Sequence, residues 1–72
     1  MMHAKDLIRM ANQIAAHFAC FPRDEAVTET IGHIRDFWEP RMRRALLDHI
    51  DAGGHGLHEL VLHGAEALRA EA

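Results

Sequence analysis

Seventy-two residues, 49% apolar and 26% charged, with a net charge of −3 when histidines are neutral, have the balance of a folded globule and exclude a disordered chain. One cysteine, Cys20, excludes an internal disulfide and suits a reducing compartment, and the acidic balance disfavours general nucleic-acid binding. A single domain over residues 1–72 is expected, and a chain this short buries only roughly 60% of the surface its unfolded form exposes, so a metal or a partner must be considered.

The opening segment Met1-Met2-His3-Ala4-Lys5-Asp6 lacks the basic stretch and apolar run of a signal peptide. The most apolar stretch, Ile14 to Phe21, is interrupted by His17 and falls short of the roughly 20 residues that a membrane span needs. A soluble, cytoplasmic protein is the expectation.

The periodicity is helical throughout. It predicts an all-α fold, a small bundle of three to four short amphipathic helices at about 4–19, 23–38, 40–52 and 57–70. In the first helix, at about 100° per residue, Leu7, Ile8, Ala11, Ile14, Ala15 and Phe18 share one sector, with Met10 at an edge. Pro22 stops this helix, because the residue before a proline is pushed out of helical geometry, and it can open the second at the first helical position, where its missing N–H is not needed. Cys20 has no residue beside it in sequence to activate it, and reads as a small packed apolar side chain.

The second helix places Asp24 and Glu25 in its first turn, near the positive end of the helix dipole. Val27, Ile31, Ile34 and Trp38 form a narrow apolar stripe opposite Glu25, Glu29 and Asp36, and Phe37 falls to one side of it. Pro40 ends this helix and opens the third across a connection so short that it allows a sharp corner or a kinked continuous helix, of which the corner is expected. The third helix has an apolar arc of Met42, Leu46, Leu47 and Ile50, and stops at Gly53-Gly54. The fourth carries Leu57, Leu60, Val61, Ala65 and Leu68, with Leu62 off the core sector. Gly64 within it weakens the helix by about 1 kcal/mol relative to alanine.

Seven histidines invite a metal hypothesis, yet no two of them stand at i, i+4, the spacing at which a helix converges ligands best. His55, His58 and His63 come nearest, and a metal-binding module built on them is one rival reading. No cysteine pair or carboxylate cluster completes the set, so solvated surface histidines are expected, with His17 and His33 as flank residues. Serine and tyrosine are absent, and Gly53, Gly54 and Gly56 follow a helix, as terminators do, and not a strand, as a phosphate loop does. No catalytic, cofactor-binding or metal site is expected.

Arg41 and Arg44 fall on an exposed face with Asp48, whereas Arg43 lies inside the apolar arc. Two accounts of Arg43 stay open. Its stem could cover apolar neighbours while the guanidinium reaches solvent or Trp38, or the guanidinium could meet an acceptor on another chain. A small nucleic-acid-binding regulator using Arg41, Arg43 and Arg44 is the second rival reading.

Met10-Ala11-Asn12-Gln13-Ile14, Phe37-Trp38-Glu39-Pro40-Arg41-Met42-Arg43 and Gly53-Gly54-His55-Gly56-Leu57 follow one another in a recognisable order and spacing. Over nearly its whole length the chain resembles the delta subunit of soluble, NAD-dependent, molybdenum-containing formate dehydrogenases. His17 departs from that pattern where an aromatic is expected, and Glu59 where a proline is expected. The resemblance implies a non-catalytic accessory or assembly subunit without a cofactor, bound to the larger subunits that carry molybdopterin, iron–sulfur clusters and flavin. Phe37, Trp38, Arg41 and Arg43 are then the expected contact residues, with Asn12 and Gln13 second; a homodimer burying the same apolar residues is compatible.

Overall fold

The computed structural model describes residues 3–71, the last by its backbone alone; Met1, Met2 and Ala72 lie outside the described residues. The elements are α1 (Ala4–Phe18), α2 (Arg23–Phe37), α3 (Pro40–Asp51), α4 (Glu59–His63) and α5 (Ala65–Glu71), with no strand among the described residues. The fold is a small all-α bundle. None of the described helices is long and apolar enough to cross a membrane.

Leu7, Ala11 and Ala15 recur every four residues on α1 and are buried. The two alanines are fully covered, and their small size lets neighbouring helices approach closely. Ile34, Leu46, Val61 and Leu68, one from each of α2 to α5, fill the centre. Full burial of such side chains stabilises by about 1.5–3 kcal/mol each, the largest favourable contribution in a chain this small. Trp38, only 5% exposed, closes one end of this core.

The junctions follow from local chemistry. Pro22 sits at the N-cap of α2 with ψ 145°, not within the helix. Trp38 and Glu39 are both extended, so the chain turns the corner expected between α2 and α3, and Pro40 takes the first helical position. At the end of α3 the N–H of Gly54 donates to the carbonyl of His49 (2.9 Å), and that of Gly53 to Ile50 (3.0 Å). This is the Schellman arrangement, and Gly53, at φ +125°, adopts the backbone that a side chain disfavours.

The expected fourth helix at 57–70 is instead two. Its first residues form a loop, in which Leu57 stays buried, and α4 starts at Glu59 because His58 acts as N-cap: its Nδ1 accepts from the N–H of Leu60 (3.1 Å). The glycine at this break also answers a tertiary need. A side chain there would collide with Cγ1 and Cδ1 of Ile31 and crowd Val27, so this glycine lets α4 and α5 lie against α2. Cys20 corrects a second expectation. α1 ends at Phe18, and the turn that follows leaves Cys20 exposed and unpacked, its Sγ 3.9 Å from the carbonyl oxygen of His17.

Candidate functional site

An apolar groove of about 590 Å³ runs between α1, α2 and the start of α3. α1 supplies one wall, because Met10, Ile14 and Phe18 recur every four residues, with Gln13 and His17 beside them. His33 and Phe37, also four apart, form the α2 wall; Trp38 and Met42 lie at the α3 end. Phe37 is 74% exposed, and its ring lies 4.6 Å from that of His33 at an interplanar angle of 31°. Phe18 stands edge-on to Phe21 (5.6 Å) and to His17 (4.8 Å), with His33 6.4 Å away. A row of rings therefore extends from Phe21 to Phe37, at spacings that aromatic pairs favour.

Three of the six residues expected at a contact surface, Gln13, Phe37 and Trp38, meet in this groove. The others go elsewhere. Asn12 faces the loop before α4, where its Nδ2 donates to the carbonyl of Gly56 (2.9 Å) and its Oδ1 accepts from the N–H of His58 (2.8 Å). Arg41 is exposed on the first turn of α3. Arg43 donates through Nη1 to the carbonyl oxygens of Trp38 (2.6 Å) and Arg35 (3.2 Å), both at the end of α2. It does find a backbone acceptor, but in its own chain. Charged donors to the carbonyl end of a helix also complement the helix dipole. Met10, Ile14, His33 and Met42 went unforeseen as parts of one surface, although the four-residue spacing of His33 and Phe37 was a usable signal.

Arg43 and Arg44 line one depression together with Arg69, Asp48 and Asp51, so carboxylates stand among these arginines, and the Arg43 guanidinium is bonded to carbonyls of α2. Neither Arg41 nor Arg44 pairs with Asp48 among the described residues; instead Arg69 grips Asp51 through both terminal nitrogens (2.7 and 3.3 Å). That bond holds the Asp51 carboxyl below its usual range, as Arg35 does for Asp36 and Arg23 for Glu59. Glu59, standing where a proline was expected, thereby joins α4 to the start of α2 (3.0 Å).

Two histidines serve the backbone. His49 Nε2–H donates to the carbonyl of His55 (2.8 Å), and His58 caps α4. Among the described residues no three His, Cys, Asp or Glu side chains gather as metal ligands do.

Helices alone, a buried centre and one open apolar groove define a small helical chain with a surface left over from its own packing. The sequence model of the NADH-dependent formate dehydrogenase delta subunit, FdsD, matches residues 6–65, and the chain belongs to that family. Comparisons with curated proteins and with solved structures return no match.

Proposed function

We propose that the chain is a non-catalytic accessory subunit of a cytoplasmic NAD-dependent formate dehydrogenase, and that it acts by binding the larger, cofactor-bearing subunits through the groove between α1 and α2. The observation that carries this reading is Phe37, an aromatic ring 74% exposed beside an open apolar groove in a chain of this family. Aromatic side chains that enter a partner's pocket supply a large share of binding energy. Gln13 and the buried edge of Trp38 complete the contact, and Arg41 stands beside it. Arg43 acts at one remove, holding the backbone of Trp38 in place.

The test is co-purification with the larger subunits. Phe37→Ala is expected to lower recovery about tenfold or more while leaving the melting curve of the free chain unchanged; equal recovery overturns the reading. The purified chain is also expected to hold no stoichiometric zinc, iron or molybdenum and to oxidise no formate alone. About one metal per chain, lost in His58→Ala, would establish the rival metal-binding module.

A further inference from the structure

We infer that the groove receives an amphipathic helix whose apolar stripe is flanked by lysine or arginine, supplied by a larger subunit; this rests on the docking proposed above. The first argument is charge. At about 100° per residue, Glu29, Asp36 and Glu25 fall roughly 40°, 60° and 80° to one side of His33 on α2, while Phe37 falls about 40° to the other. The α2 wall thus carries three carboxylates alongside its groove-lining row, all of them exposed. Only Asp36 has an ion-pair partner among the described residues, Arg35 at 2.9 Å; Glu25 and Glu29 have none. The α1 wall does not answer with positive charge. Its flank carries Gln13 and the mutually paired Asp6 and Arg9 (3.6 Å). At the α3 end the Arg43 guanidinium is engaged by the carbonyls of Trp38 and Arg35, and Arg41 is exposed on the first turn of α3. An occupant with basic flanks is the complement of this rim.

The second argument concerns shape. Both walls are helices whose interior N–H and C=O groups already bond within the helix, so no strand edge is on offer for an extended peptide. Recognition must run through side chains, and a helix presents anchors at i, i+4 and i+7 to such a groove. Met10 and Met42 give the lining adaptable, polarisable surface suited to leucine-like or aromatic anchors.

Two synthetic amphipathic helices with one leucine stripe, flanked by lysines in one and by glutamates in the other, serve as probes. Trp38, the only tryptophan, reports binding by fluorescence. The lysine-flanked probe is expected to bind about tenfold tighter at low salt, with the preference shrinking as salt rises. Glu29→Lys with Asp36→Lys is expected to abolish the preference. Glu66→Lys, at an exposed position of α5, alters net charge without touching the rim and is expected to leave the preference intact. Phe37→Ala should remove binding of both probes with helicity unchanged. Equal binding, tighter binding of the glutamate-flanked probe, no binding, or a free chain that buries Phe37 in a homodimer would each overturn the inference. The two proposals fail separately. Failure of the unsubstituted chain to co-purify, with the lysine preference intact, strikes the accessory-subunit reading, and co-purification unaffected by Glu29→Lys with Asp36→Lys strikes the charge complementarity.

Discussion

Helix α1 meets two different surroundings on its two sides. On one, Asn12 satisfies both ends of its amide on the backbone at Gly56 and His58, and the loop it holds is tied again by His49. On the other, Met10, Ile14 and Phe18 border an open groove beside an exposed Phe37. The first side is closed by directional bonds to both ends of the amide. The second is apolar surface that the chain's own packing does not cover. If the groove is the docking surface proposed above, stability and recognition sit on separate sides of one helix, and substitutions can be assigned to one or the other.

That division is most severely tested in the core. Leu68→Ala, at a fully buried site, is expected to destabilise the free chain by about 2–4 kcal/mol. Phe37→Ala should change it by less than about 0.5 kcal/mol in the same denaturant titration. A comparable loss from both would erase the distinction. Gly64→Ala comes next. Helix propensity alone favours alanine, yet crowding against Ile31 and Val27 should make it destabilising by about 1–3 kcal/mol, so the sign of the change is the observable. Asn12→Ala strands a backbone donor and acceptor and should cost about 1–2 kcal/mol, with faster amide exchange confined to residues 56–60. Arg43→Ala should cost about 1 kcal/mol by freeing the carbonyls of Trp38 and Arg35, and Arg43→Lys should recover part of it, because one ammonium can still reach a carbonyl.

Acidification should have the smallest effect. Asp36, Asp51 and Glu59 titrate lower in the folded chain than in the unfolded one. Their contribution is therefore complete above the unfolded value of roughly 4 and is lost as pH falls through the folded values. All three are exposed, so the melting temperature should drop only slightly there. Arg69→Gln and Arg23→Gln should flatten the dependence.

What the sequence disclosed was local. The α1 stripe, the prolines at the two junctions, the Gly53-Gly54 stop and the outward position of Phe37 are each set by residues within about two turns, so wheel geometry and cap chemistry are enough to find them. What escaped depends on distance along the chain. The need for glycine at position 64 arises from Ile31, 33 positions earlier, and the Asn12 clasp spans 44 and 46 residues. Arg43 was legible as unusual but not as bound, because its acceptors are carbonyls, which carry no residue signature. Cys20 defies its apolar neighbours because the last turn of α1 stops sooner than they suggest.

The span of the Asn12 clasp carries a kinetic consequence. Every groove-lining residue lies between Met10 and Met42, in contacts separated by short loops, whereas the clasp waits for Gly56 and His58 to arrive from 44 and 46 residues away. Closing that longer loop costs roughly half a kcal/mol more chain entropy, and its bonds are expected to form after those of the groove. Asn12→Ala should then leave the refolding rate nearly unchanged and speed unfolding, the mark of a contact absent from the transition state. On that outcome the clasp is a brake on opening, and it lengthens the time for which the groove persists once formed.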